Sequence, residues 1–233
     1  MKNSVNSAII IALGLIIAGL LVGKGISRFA DKDRSVQVRG FSERIVEADK
    51  VTWPVHYKAL GNDLSALLAE VEKAKEKVLK FLTNNGVPAE DITVTPPKVT
   101  DYAVADYKPQ NISSRFVVNL TFTVTTTKVD LVRGLTYRTD ELVKQGIVIF
   151  GNEYGENAIY EYTALDKIKP EMIEASTKNA REAAEQFAKD SGSRLGKIKH
   201  ASQGYFSIEN RDDNTPWMKK VRVVTSVSYD LKD

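Results

Sequence analysis

Polar and apolar residues alternate over 35–41 and again over 51–57. Period two predicts two strands, with 47–50 as the turn between them. Pro54 lies inside the second stretch and fits an edge or a bulge, because proline cannot donate to a ladder. The period then changes. Leu64, Leu67, Leu68, Val71, Ala74, Val78, Phe81 and Leu82 recur at helical spacing, with Glu and Lys on the remaining faces. Asn62 and Asp63 offer N-caps and Gly86 a stop, so a long amphipathic helix is expected with its apolar face on a sheet.

The same succession returns twice. Stretches 92–104 and 115–127 read as strands joined by a polar loop over 105–114. Thr127 with Asp130 has capping-box spacing and opens a helix carrying Val129, Val132, Leu135, Leu142 and Val143, weakened by Gly134 and ended by Gly146. Strands over 147–153 and 158–165 follow, linked by Tyr154, Gly155, Glu156 and Asn157. A third helix is expected from near Pro170 to Asp190, with an alanine-rich apolar face that permits close packing. Two last strands, 198–208 and 221–231, flank a charged loop over 210–220. The expected fold is α+β: antiparallel strand pairs alternating with three helices packed on the sheet, as ββα repeats, rather than a parallel dinucleotide-binding sheet.

The N-terminus departs from this pattern. Between Ala8 and Val22 there is no polar side chain, and a helix over 5–23 is about 28 Å long, close to the thickness of a bilayer's hydrocarbon core. No clean small-x-small cleavage site precedes the charged stretch 24–34, which favours an uncleaved transmembrane anchor over a removed leader. The chain is therefore expected to divide into an anchor with a basic linker, 1–34, and a folded domain, 35–233. Counting positive charges alone places the domain on the cytoplasmic side. Gly19 and Gly23 are four apart in this helix and form a candidate helix–helix contact.

Composition narrows the classes of function. Lys and Arg total 33 against 30 Asp and Glu, a net charge of +3, with the two signs interspersed. That excludes nucleic acid as an expected partner. Cysteine is absent, which removes disulfides, thiolate metal sites and a thiol nucleophile. His56 and His200 are the two imidazoles, too few for an ordinary zinc site. The spacings of P-loops, zinc hydrolases and serine hydrolases are missing. Carboxylates are plentiful, among them Glu43, Glu47, Asp49, Asp101 and Glu161, and read mainly as solvated surface, as do Arg39 and Arg44 beside Glu43 and Glu47. Aromatic residues cluster in three places: Tyr102 with Tyr107, Tyr154 with Tyr160 and Tyr162, and Tyr205 and Phe206 with Trp217. Tyr107 and Trp217 mark the loops 105–114 and 210–220 as candidate interfaces. No cofactor, metal or catalytic residue is expected.

Three passages together resemble the SIMPL domain family: SVQVRGFSERIVEADKVTWPVHYKALG from Ser35, NNGVPAEDITVTP from Asn84, and ASTKNAREAAEQFAKDSGSRLGKIKH from Ala175. Their order and spacing carry the resemblance, and its glycines and alanines are structural. It implies a bacterial cell-envelope protein, non-enzymatic, at the inner membrane with its domain in the periplasm or outside, against the charge count. It also implies a homo-oligomer or envelope protein partners, and a loose link to stress tolerance. The rival reading is a small-molecule binder or unrecognised enzyme with a pocket lined by carboxylates and tyrosines.

Overall fold

The computed structural model describes residues 13–23, 34–105, 113–150 and 158–232. Over these residues the chain is α+β, with two antiparallel sheets and five helices. The helix over 13–23 is α1, exposed throughout. Among the described residues no helix is long and apolar enough to cross a membrane, and the apolar stretch that starts at Val5 is described only from 13 onward.

The other elements are β1 (Ser35–Glu47), β2 (Lys50–Gly61), α2 (Leu64–Asn84), β3 (Ile92–Val94), β4 (Lys98–Asp101), β5 (Phe116–Thr126), α3 (Val129–Thr136), α4 (Asp140–Val143), β6 (Ile149–Phe150), β7 (Ile159–Glu161), α5 (Leu165–Asp190), β8 (Arg194–Gln203), β9 (Ser207–Asn210) and β10 (Met218–Lys232). One sheet has the order β1-β10-β8, with β9 also on β10; the other has β3-β5-β2-β6, with β4 on β5 and β7 on β2. Contacts divide the chain into two compact units. The first takes 1–44, 166–207 and 221–233, and the second takes 45–165 and 208–220.

In the second unit β2 and β5 pair antiparallel from Val51↔Thr126 to Gly61↔Phe116. The alternation read from the sequence puts Val51, Trp53, Val55, Tyr57 and Ala59 of β2 on the buried face. Helix α2 lays Leu67, Val71, Ala74, Val78, Phe81 and Leu82 against this core. Burying a side chain of that size contributes about 1.5–3 kcal/mol. Asp63 caps α2 by accepting from the Ala66 amide at 3.0 Å, and Gly86 ends it at φ +92, a conformation that favours glycine. Asn62, the other cap candidate, instead accepts from the Arg115 amide.

Several expectations need correction. The stretch 92–104 is broken into β3 and β4, separated by the Pro96–Pro97 pair that cannot donate ladder bonds. The capping box at Thr127 does not form: Lys128 is the N-cap, without a side-chain cap bond, and Asp130 pairs with Arg133 at 2.8 Å. The single helix expected after it is two, α3 and α4. Strands β6 and β7 each pair with β2 rather than with one another. Helix α5 begins at Leu165 and holds Pro170 inside it. The linking residues Tyr154, Gly155, Glu156 and Asn157 lie outside the described residues, as does the loop 106–112.

In the first unit α5 crosses β1 at Gly40. A Cβ there would run into the Ser176 carbonyl oxygen and the Ala180 amide nitrogen, and would stand 2.8 Å from the Ala180 Cα. Ala180, Ala184 and Ala188 keep this face of α5 small and fully buried, and the Ser176 hydroxyl meets Thr225 Oγ1 at 2.7 Å. Asn179 Oδ1 accepts from the Phe41 amide at 3.1 Å beside the crossing. Gly40→Ala is expected to lower stability by about 1–3 kcal/mol, since the obstructing atoms are backbone and cannot rotate away. Denaturant midpoints of the two proteins check it; equal midpoints would contradict the close crossing.

Candidate functional site

Within the second unit the described partners of β2 opposite β5 are two short strands. Strand β7 covers Lys50, Val51 and Thr52, and β6 covers His56 and Tyr57. Among the described residues Trp53, Pro54 and Val55 have no strand partner on that side. Pro54 among these lacks an N–H and can donate no ladder bond. A cleft of about 540 Å³ opens at this place.

Aromatic side chains from separate stretches of sequence form its walls. Trp53 and Tyr160 are each 7% exposed at its base. Trp217 meets Tyr160 edge-on, with ring centroids 6.2 Å apart and planes at 69°. The Arg133 guanidinium lies 5.0 Å from the centre of the Trp217 ring. Tyr137, one turn beyond Arg133, lines the rim and is 77% exposed. Burial pushes the Tyr160 phenol above its ordinary pKa; the nearby Tyr137 adds to the rise, and Arg133 pulls the other way. His56 also lines the cleft and is held by Thr121 Oγ1, 3.0 Å from its Nδ1.

The loop after β9 supplies Asp213, Asn214, Pro216 and Trp217. Asp212 builds this loop: it takes the Thr215 hydroxyl at 2.5 Å, Arg211 Nε at 2.8 Å and the amides of Asn214 and Thr215 at 3.0 and 2.8 Å. The Thr215 and Arg211 bonds pull its carboxyl down to about 2. The Trp217 carbonyl accepts from the Ala48 amide at 2.7 Å, which fixes the far end of the loop.

Carboxylates elsewhere do structural work. Burial acts to raise Asp49, but the Thr163 amide and hydroxyl and the Ala164 amide outweigh it and leave its pKa lowered. Arg115 lowers Asp101 and Lys144 lowers Asp140. A general acid at neutral pH needs the opposite shift. Among the described residues no three His, Asp or Glu side chains gather closely enough to hold a metal ion. Arg44 and Glu43 are exposed, in keeping with the surface reading, and pair with Glu171 at 2.8 Å and Arg222 at 3.4 Å.

Trp217 is half-buried in the cleft wall and packs on the core of its unit. Tyr107 lies outside the described residues. Gly19 and Gly23 are on α1, and a Cβ at either would meet nothing within 4 Å. Sequence reasoning grouped Tyr160 and Trp217 only as members of separate clusters; the fold brings them together. It missed Arg133, Tyr137 and Trp53, which had been read as helix and strand positions without a site.

A second feature belongs to the first unit. Strand β8 ends its sheet, and among the described residues it pairs with β10 alone. Eight of its residues are exposed, on both faces, with only Leu195 and Gly196 partly covered. Ile198 is 55% exposed on it.

A family model described as a protein of unknown function (DUF541) matches residues 36–229. No curated protein matches the chain.

Because the Asp212 pKa is lowered on folding, its stabilisation of the loop is complete above the ordinary value of 3.8 and is lost as pH falls through about 2. Trp217 fluorescence is expected to hold steady down to pH 3.8 and to change between there and about 2. Asp212→Asn should show the changed signal already at neutral pH; a variant identical to the parent at all pH values would contradict the assigned role.

Proposed function

The chain belongs to the SIMPL family, and from that premise we propose a membrane-anchored, non-enzymatic cell-envelope protein that serves as a self-assembling or partner-binding scaffold. The apolar stretch over 5–23 is the proposed single transmembrane anchor, in the bacterial inner membrane, with 35–233 on the periplasmic side. A loose link to stress tolerance belongs to the same proposal.

The observation that carries the scaffold reading is β8. A sheet edge offers backbone donors and acceptors to another extended chain, and natural proteins ordinarily cover or shorten such edges. This one runs from Arg194 to Gln203 with both faces open. Strand addition there needs no pre-formed pocket, because the ladder supplies affinity and alternate side chains supply selection. The strand carries Arg194, Lys197 and Lys199 and no carboxylate of its own. Asp230 of β10 lies beside Gly196 and offsets part of that charge. An acidic extended segment of an envelope partner therefore fits better than a second β8, whose cations would face these.

A second reading, small-molecule binding, is favoured by the aromatic cleft, whose volume falls in the range of ligand sites.

Light scattering on the fragment 35–233 and on the detergent-extracted full chain tests the scaffold reading. A stoichiometric complex of the fragment with one envelope protein through β8 is the expected result, and a defined multimer of the fragment supports self-assembly through another surface of the domain. A monomeric fragment from a multimeric parent moves the contact to Gly19 and Gly23. Monomers in both, with no partner retained, overturn the reading.

A further inference from the structure

Strand β8 is regular over one half only, and the division decides what can be added to it. Against β10 the register runs without a shift from Thr225↔Gln203 to Ser228↔His200. From Ser228 to Tyr229 the partner then moves from His200 to Ile198, so Lys199 is an extra residue on β8. From Tyr229 to Leu231 it moves from Ile198 to Leu195, which leaves a second extra residue at Gly196 or Lys197. A Cβ on Gly196 would stand 2.8 Å from the Asp230 carbonyl oxygen, so the close approach there needs a residue without one. Two neighbouring bulges bend the strand and break the alternation of its outward amides. Bulges and lysines are among the devices that keep sheet edges from pairing with their own copies.

The regular half has the opposite character. The Gly204 amide donates to the Val224 carbonyl at 2.8 Å, which makes Gly204 and Val224 a hydrogen-bonded pair. Such pairs alternate in an antiparallel ladder, so Ser202 with Ser226 and His200 with Ser228 are the next bonded ones. Ala201 and Gln203 stand between them, and their N–H and C=O groups point away from β10 to the open edge. Both are exposed. Their partners Val227 and Thr225 are buried on the side that packs on α5. An incoming strand opposite Ala201 would continue that side, and the small alanine leaves room for a branched side chain.

We propose that β8 accepts an extended segment of another protein on 200–203 alone, through the backbone of Ala201 and Gln203, with acidic residues of that segment beside Lys197 and Arg194. The inference rests on the scaffold reading and deepens it, because a second β8 is now disfavoured by the bulges as well as by charge. Arg194 and Lys197 are exposed on the bulged half, and Lys232, paired with Arg194, adds a third cation. Asp230 beside Gly196 offsets only part of that charge. The fitting segment alternates apolar and polar residues and carries its carboxylates at one end.

The test titrates the full-length chain in detergent with a fluorescein-labelled peptide in which valine alternates with threonine before three glutamates, read by fluorescence anisotropy. Added antiparallel, the commoner pairing, its glutamates run past Lys197 toward Arg194. Saturable binding is expected, about fivefold weaker for the same peptide ending in three glutamines. Ala201→Pro removes an N–H that takes no part in the ladder with β10, so the unfolding midpoint should stand while binding falls about tenfold. Gln203→Pro should behave alike. Lys197→Gln, which leaves the backbone untouched and serves if the proline variants fold poorly, should weaken the glutamate peptide and spare the glutamine one. Binding that all three variants retain, or no saturable binding of either peptide, overturns this placement. The scaffold reading falls separately, on monomers with no retained partner in light scattering.

Discussion

The second unit depends on the long antiparallel ladder between β2 and β5. It runs from Val51 to Gly61 of β2 and gives the core its floor, onto which α2 places one apolar face. On the opposite side, β7 and β6 divide the strand between them and leave Trp53, Pro54 and Val55 uncovered by any described strand. Pro54 among them lacks an N–H and donates no ladder bond. The opening is then finished by residues brought from far along the chain: Arg133 and Tyr137 after β5, Tyr160 on β7, and Trp217 before β10.

The first unit obeys a different constraint, steric rather than hydrogen-bonded. Gly40 admits the backbone of α5, and the run Ser176, Ala180, Ala184, Ala188 is what a helix needs to come that close. Such a contact draws its strength from many small van der Waals terms and from exclusion of water, and it tolerates no added atom. Leu195 of β8 packs against the cluster that holds Ala180 and Ala184, while eight other residues of the strand stay exposed.

Local chemistry made much of this legible beforehand. Alternation identified β1 and β2, β-branched and aromatic content identified β5, and the 3.6-residue period identified α2 to within two residues at either end. The alanines of α5 announced close packing, although not that Gly40 was the residue receiving it. What local pattern could not supply was pairing. Strands β6 and β7 looked like a hairpin because they follow one another, yet both pair with β2. The Thr127 capping box was defeated by an alternative partner, since Arg133 holds Asp130. The cleft was invisible for the same reason: Trp53 falls in a strand stretch and Arg133 in a helical one, and only the three-dimensional return of Trp217 brings both to one cleft.

The scaffold account turns on the edge of β8, and backbone hydrogen exchange reads it directly. Exchange would be compared between the fragment 35–233 and the full chain in native membranes, residue by residue over Arg194–Gln203, with the fully paired β10 as the internal reference. The account predicts that outward-facing β8 amides exchange rapidly in the dilute fragment and become protected in the membrane, while β10 is slow in both. Rapid exchange of β8 in the membrane as well would contradict it.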